Sequence, residues 1–207
     1  MLFRSLDISS GCFAALAGPS GSGKTTLLNL IGGLDYPTTG SVEIGGKIIS
    51  NLPERQLSEF RLNSIGFIFQ AYNLVPVLTA KENMEYIMIL LGISEEIRES
   101  SVAEISKRLG IESLLDRKPS EMSGGQQQRV AVARAILSEP KVILADEPTA
   151  NLDSENSREL LKLMRELNEE KSMSFLISSH DPLVVEMTRE RILLQDGRLS
   201  NAPNSDQ

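Results

Sequence analysis

The chain has 207 residues, a length that corresponds to one domain with a sizeable hydrophobic core. It is 41% apolar and 24% charged, which is the composition of an ordinary globular protein. Its formal net charge of −7, without a basic stripe, argues against binding to a nucleic-acid backbone.

The cysteine content and the hydropathy of the sequence exclude further classes of protein. Cys12 is the only cysteine, which excludes an internal disulfide and a cysteine-based metal site and is typical of a reducing cytosol. No signal peptide opens the sequence, because residues 1–7 lack a basic head followed by an apolar run. Apolar stretches such as residues 87–91 are too short to cross a bilayer. We therefore expect no direct membrane insertion, and any role at a membrane requires a partner.

The first predicted strand, residues 13–17, leads into a glycine-rich loop that reads G-P-S-G-S-G-K-T at residues 18–25. The loop fits the pattern G-x-x-x-x-G-K-[ST] at every fixed position. Its glycines let backbone N–H groups point at phosphate oxygens, Lys24 brings a positive charge to the β- and γ-phosphates, and the Thr25 hydroxyl ligates Mg²⁺. The helix that follows directs its positive end at the same anion. The sequence thus predicts a nucleoside triphosphate site formed by Gly18, Pro19, Ser20, Gly21, Ser22, Gly23, Lys24, Thr25 and Thr26.

The next elements are short. A Gly-Gly turn predicts a β-hairpin over residues 42–49, and an apolar run predicts a strand over 64–69 that ends at Gln70. A capping box at Thr79–Glu82 opens a helix that runs to about Leu91.

Helical patterns then continue to about residue 115, and the S-x-x-Q spacing at Ser123–Gln126 opens another helix, which Pro140 ends. They form a helical insert at roughly 71–137 within a chain that otherwise alternates strands and helices.

The pattern in the last third of the sequence predicts a buried strand over 141–145, an amphipathic helix over 159–169, a buried strand over 174–178 and a closing hairpin over 192–199. This alternation indicates an α/β fold with a mostly parallel sheet.

Two carboxylates, Asp146 and Glu147, follow the strand over 141–145. Ligands of open α/β sheets bind at this end of the strands. Asp146 would then hold Mg²⁺, and Glu147 would polarise a water for attack on the γ-phosphate. The alternative is an acidic pair that only begins a turn before Pro148.

The segment Ser123–Gln127, S-G-G-Q-Q, resembles the signature motif of ATP-binding cassette (ABC) proteins. The other motifs follow in the order of that family: the phosphate loop, Gln70, the signature, the Asp-Glu pair, Ala150–Asp153, and His180, the only histidine. The resemblance covers nearly the whole chain. It implies a P-loop NTPase (RecA-like) core at about 1–70 and 138–207, a small antiparallel β part near the N-terminus, and a helical subdomain at about 71–137.

The resemblance also implies how ATP and Mg²⁺ are used. Two copies would form a head-to-tail homodimer in which the phosphate loop of one faces the signature of the other. The implied catalytic residues are Glu147, His180 and Gln70. The implied Mg²⁺ ligands are Thr25, Gln70 and Asp146. The residues that would reach the nucleotide or the other active site across the dimer are Ser123, Gly124, Gly125, Gln126 and Asp153.

One family feature has no counterpart. Members usually carry an aromatic residue, 25 to 30 positions before the loop lysine, that stacks on adenine. Phe3 precedes Lys24 by less than that and resembles part of the strand after the missing segment. Our expectation is that the natural start lies upstream; the alternative is that adenine is held less tightly.

The sequence segments at residues 31–40, 66–76 and 119–125 resemble those of the ATPases of bacterial lipoprotein-releasing and macrolide-export systems. This implies a peripheral subunit on the cytoplasmic face of the bacterial inner membrane, with an integral-membrane permease docking near residues 70–76. Plain core packing is the alternative reading of Tyr72, Leu74, Val75 and Pro76.

Other functions stay open. One is a regulatory ABC ATPase of the cell-division type, which moves no substrate. Others are exporters of heme, glycolipids or peptides, which share these segments. A module that binds ATP without hydrolysing it is disfavoured because Glu147 and His180 are both present.

Overall fold

A computed structural model describes residues 5–200 of the chain. Its main sheet contains six strands. In chain order these are β1 (Phe13–Ala17), β4 (Ile65–Ile68), β5 (Val142–Asp146), β6 (Ser174–Ser179), β7 (Glu190–Gln195) and β8 (Arg198–Ser200). A separate two-stranded sheet pairs β2 (Glu43–Ile44) with β3 (Lys47–Ile48). Seven α-helices connect the strands: α1 (Lys24–Ile31), α2 (Glu54–Ser64), α3 (Ala80–Leu90), α4 (Glu95–Leu109), α5 (Gly124–Leu137), α6 (Ser154–Lys171) and α7 (Pro182–Met187).

The main sheet has the order β4-β5-β6-β1-β7-β8. All neighbouring strands are parallel except β7 and β8, which form the closing hairpin. The predicted α/β fold with a mostly parallel sheet and a small antiparallel part is therefore confirmed. Strands β1 and β6 are buried along their whole length, as strands covered on both faces must be.

The register aligns the ends of three neighbouring strands. Ala17 at the end of β1 is opposite Ser179 of β6, and Asp146 at the end of β5 is opposite Ser178. The segments that follow these strands, residues 18–25, Glu147 and His180, therefore leave the sheet at the same edge. Three motifs that are far apart in the sequence meet there.

Each face of the sheet carries its own apolar cluster. One cluster combines residues of α3, α4, α5 and α6 with Phe13 and Phe175 of the sheet. The other combines residues of α1 and α2 with Leu16, Leu144 and Leu176. Alternating side chains of the same strands thus supply both layers.

The structure extends or adds several helices that the sequence did not indicate. Helix α2 was not predicted, because Leu57 and Phe60 are its only buried large apolar residues and give a weak period. Helix α7 has six residues, too few for a periodic signal. Helix α6 begins at Ser154, not 159, because Asp153 caps a first turn that is polar.

Helices α3, α4 and α5 pack on one another within the proposed insert at 71–137, whose boundaries stay a prediction. Across residues 5–200, none of the helices has the length and apolar character needed to cross a membrane.

Candidate active site

The phosphate loop joins β1 to α1 and is shaped by its glycines. Gly21 and Gly23 adopt positive φ values of 77° and 102°, which other residues rarely take. Gly18 is required for a different reason, since a Cβ there would lie 2.0 Å from the backbone oxygen of Leu194 on β7. The Lys24 Nζ atom donates to the carbonyl oxygens of Gly18 (2.9 Å) and Pro19 (3.2 Å). The lysine therefore lies across the loop, and its side chain is only 8% exposed.

Thr25 and Asp146 come together at the sheet edge. The Thr25 hydroxyl donates to Asp146 Oδ2 at 2.8 Å, and the Ser178 hydroxyl donates to Asp146 Oδ1 at 2.5 Å. A hydroxyl and a single carboxylate fit Mg²⁺, which usually takes one or two protein oxygens together with phosphate oxygens and water. Among residues 5–200, no group of three or more His, Cys, Asp or Glu side chains is arranged to hold a metal ion.

The Glu147 carboxylate lies at the centre of the site. Its Oε1 atom is 2.8 Å from His180 Nδ1 and 3.7 Å from Lys24 Nζ, and its Oε2 atom accepts from the Ser179 hydroxyl at 3.1 Å. The Glu147 N–H donates to the Ser178 backbone oxygen at 3.0 Å. The backbone φ of Glu147 is 47°, a left-handed value that residues other than glycine rarely adopt. Backbone strain of this kind is concentrated at functional sites.

This arrangement suits a carboxylate that orients and deprotonates a water. Glu147 is only 13% exposed, and the partners on both its oxygens fix the direction of its lone pairs. His180 is 65% exposed, so its ring can reach a ligand outside the protein surface. The structure thus brings together Lys24, Thr25, Asp146, Glu147 and His180, as the sequence predicts.

Gln70 follows β4 and is exposed. Its backbone oxygen accepts from the Asn151 amide at 3.2 Å, which ties it to the loop after Glu147. Its proposed contact with Mg²⁺ and water stays a prediction.

The signature forms the first turn of α5. Ser123 is the N-cap: its hydroxyl accepts from the Gln126 N–H at 3.3 Å, and the Gln126 side chain accepts from the Ser123 N–H at 2.9 Å. A Cβ on Gly124 would lie 2.7 Å from the Tyr72 hydroxyl, and one on Gly125 would lie 3.1 Å from Leu152. The contacts of the described residues thus place the signature against the segments after Gln70 and Glu147 rather than against residues 18–25.

Asp153 caps α6. Its Oδ1 atom accepts from the Asn156 N–H and its Oδ2 atom from the Asn156 side-chain amide, both at 2.8 Å. These hydrogen bonds from Asn156 lower the pKa of Asp153, so the side chain stays ionised and acts as an acceptor.

Several supporting residues were not predicted. The Ser178 hydroxyl donates to Asp146 and the Ser179 hydroxyl donates to Glu147. The sequence signal that could have identified them is a pair of hydroxyl residues at the end of a strand, next to His180. Asn151 and Arg134 had no local signal, because their acceptors are 81 and about 60 positions away in the sequence. Phe3, considered for the adenine site, lies outside the described residues.

Comparisons with known proteins agree with this geometry. The family described as ABC transporter matches residues 4–150. The ATP-binding protein YtrE of Bacillus subtilis is 45% identical over 94% of this chain and 84% of its own length. The macrolide export ATP-binding/permease protein MacB of Syntrophobacter fumaroxidans is 42% identical over 93% of this chain, which spans 27% of that longer protein.

A solved structure is equally similar. The ATP-binding cassette MJ0796, in a dimeric post-hydrolysis state bound to ADP and Pi, superposes with a TM-score of 0.89 at 42% identity. The match covers 95% of this chain and 86% of that one. The chain therefore belongs to the ABC transporter family, as an ATPase that uses ATP and Mg²⁺.

Proposed function

We propose that the chain is the ATP-driven subunit of a bacterial inner-membrane transporter, with Glu147 as the residue that activates the attacking water. The observation that carries this is the placement of Glu147, whose two carboxylate oxygens face Lys24, His180 and Ser179 beside the Thr25–Asp146 pair. Mg²⁺ neutralises phosphate charge when bound. Lys24 and the loop N–H groups hold the phosphates, and Glu147 takes the proton of the water.

The catalytic unit we propose is a head-to-tail homodimer. The Ser123-capped N-terminus of α5 is an anion-binding arrangement, and its glycines lie against Tyr72 and Leu152. The related cassette MJ0796 is described as a dimer with ADP and Pi. Ser123, Gly124, Gly125 and Gln126 would then hold the γ-phosphate bound by the other copy. Asp153 would contact the other site.

A membrane permease is the proposed partner, bound near residues 70–76 on the cytoplasmic face. Leu74 is partly buried against the core, so the core-packing alternative fits that side chain. Val77, by contrast, is 71% exposed, and Tyr86 and Leu90 of α3 are also exposed apolar residues. The relative MacB is named as an ATP-binding and permease protein in one chain, which supports this pairing.

Lipoprotein release is the transport function we favour, on the segments at residues 31–40, 66–76 and 119–125. Macrolide export is the second candidate, because the relative named for that activity is 42% identical. A regulatory ATPase of the cell-division type would use the same site without moving a substrate. The three differ in the membrane protein they bind.

The test is to express tagged Glu147→Gln in its host and extract membranes in mild detergent with Mg-ATP. The amide cannot accept the proton of water, so hydrolysis falls by roughly 10²–10⁴-fold, while ATP keeps the dimer closed. Mass spectrometry of the co-purified proteins then identifies the partner. Wild-type protein extracted with Mg-ADP is the control.

A permease with bound lipoprotein would support the favoured function, and one without it that confers macrolide resistance would support the second candidate. A permease-like partner bound to division or cell-wall proteins would support the regulatory function. Wild-type turnover by Glu147→Gln would contradict the role of Glu147.

A further inference from the structure

Helix α5, which begins with the signature, carries an arginine that joins it to α4 and to the first turns of α6. Arg129, in the second turn of α5, donates to three acceptors on two other elements. Its Nη1 atom donates to the carbonyl of Leu109, the last residue of α4, at 2.9 Å. Its Nη2 atom donates to Asn156 Oδ1 at 3.1 Å and to Glu159 Oε2 at 2.9 Å, both on α6. The Arg129 side chain is 22% exposed, whereas Glu159 is 61% exposed, so water competes for the ion pair and the partly buried contacts with Leu109 and Asn156 matter most.

The Asn156 contact extends to Asp153. The Asn156 amide has an oxygen that accepts from Arg129 and a nitrogen that donates to Asp153 Oδ2 at 2.8 Å. Arg129 and Asp153 both require this orientation of the amide, since the reversed amide would place its N–H₂ against the guanidinium, which has no acceptor, and its oxygen against a carboxylate. The orientation of the amide in turn sets the second hydrogen bond to Asp153.

We propose that Arg129 is a positioning residue for Asp153: through Asn156 it couples the signature helix to the Asp153 loop, so that both reach the partner subunit as one rigid unit. Leu152, in the same loop, packs against Gly125 and gives the unit a second contact. The inference rests on the proposed head-to-tail dimer, in which the signature and Asp153 both face the other copy.

The coupling has a physical consequence for nucleotide binding. If the signature and Asp153 loop move together, ATP bound against one signature orders the Asp153 loop that faces the other site, and the two sites bind cooperatively. Without Arg129 the two segments become ordered separately. ATP must then supply more free energy to close the dimer, although the phosphate loop itself is untouched.

The test compares two arginines that join the helical region to α6. Arg108 on α4 makes a two-pronged ion pair with Glu170 on α6, at 2.7 and 3.0 Å, far from Asp153 in the chain. Arg129→Gln and Arg108→Gln are each placed in the Glu147→Gln background. Dimer formation against ATP concentration is measured by sedimentation, and nucleotide binding to the monomer by fluorescent ATP. The melting temperature of each variant is measured as a check that it folds.

We expect Arg129→Gln to raise the ATP concentration for half-maximal dimerisation roughly tenfold, the equivalent of one charge-assisted hydrogen bond, with monomer binding unchanged. Arg108→Gln should leave dimerisation unchanged. In otherwise wild-type protein, Arg129→Gln should also lower the Hill coefficient of ATP hydrolysis towards 1.

A double-mutant cycle with Asp153→Asn tests whether Arg129 acts through Asp153. If it does, Arg129→Gln/Asp153→Asn will dimerise no worse than Asp153→Asn alone. The inference would be overturned if the effects of Arg129→Gln and Asp153→Asn on dimerisation multiplied in the double variant. It would also be overturned if Arg129→Gln and Arg108→Gln weakened dimerisation equally. Failure of Glu147→Gln itself to dimerise with ATP would instead overturn the proposed head-to-tail function, and the inference with it.

Discussion

Two glycines of the phosphate loop are required for different physical reasons. Gly18 has an ordinary backbone conformation, but an added Cβ would overlap the backbone oxygen of Leu194 at 2.0 Å. Gly21 has a φ of 77° and nothing within 4 Å of an added Cβ. The first position is limited by space and the second by backbone conformation, so the same substitution has different costs.

We predict that Gly18→Ala lowers the free energy of unfolding by about 3 kcal/mol, because β7 must shift away from the loop. Gly21→Ala should cost only about 1 kcal/mol, the usual cost of a left-handed residue with a Cβ. Urea denaturation of the two variants measures both values. Equal losses would contradict the close approach of Leu194.

The segment after Gln70 shows how one element holds another. Tyr72 and Asn73 have consecutive positive φ values of 60° and 48°, a conformation that asparagine tolerates and that is unfavourable for the bulky Tyr72. Arg134 of α5 donates to the carbonyls of Tyr72 (2.8 Å) and Asn73 (2.6 Å). Burial lowers the pKa of Arg134 from its ordinary value, yet a guanidinium stays charged at neutral pH. A partly buried cation on α5 therefore stabilises this turn.

Removal of that cation should loosen the segment. We predict that Arg134→Gln speeds amide hydrogen exchange within residues 71–76 about tenfold, since two hydrogen bonds from a charged group are lost. Hydrogen exchange followed by mass spectrometry reads the effect by peptide. Arg165→Gln, which removes a surface pair with Glu169, is the control and should leave the segment unchanged. Unchanged exchange in Arg134→Gln would show that the turn is held by other contacts.

At the scale of the whole molecule, two exposed apolar side chains allow the proposed docking surface to be tested. Val77 is 71% exposed beside the proposed docking segment, whereas Ile48 is 47% exposed on the β2–β3 hairpin. Neither side chain supports the core, so a charge at either position should leave the fold intact.

We predict that Val77→Arg reduces co-purification of the permease with Glu147→Gln at least about tenfold, because a charge is placed in an apolar interface. Its ATPase activity as an isolated protein should remain. Ile48→Arg is the matched control and should co-purify normally. Normal recovery with Val77→Arg would remove residue 77 from the docking surface.

The sequence alone determined the features encoded by neighbouring residues. The phosphate loop, the Ser123 capping box and the Asp146–Glu147 pair are each contiguous, and their local chemistry requires those residue types at that spacing. The alternation of strands and helices was enough to predict the parallel sheet. The family that these motifs resemble was confirmed by the match to residues 4–150.

Only the tertiary structure decided which side chains meet. The contacts of Glu147 with Ser179 and His180, of Arg134 with Tyr72, and of Asn156 with Arg129 join positions 27 to 62 residues apart. No periodicity records such pairs, because a hydrogen bond depends on the register of strands and the rotation of helices. Helices α2 and α7 were missed for a related reason: they are stabilised by packing on the sheet rather than by their own sequence pattern.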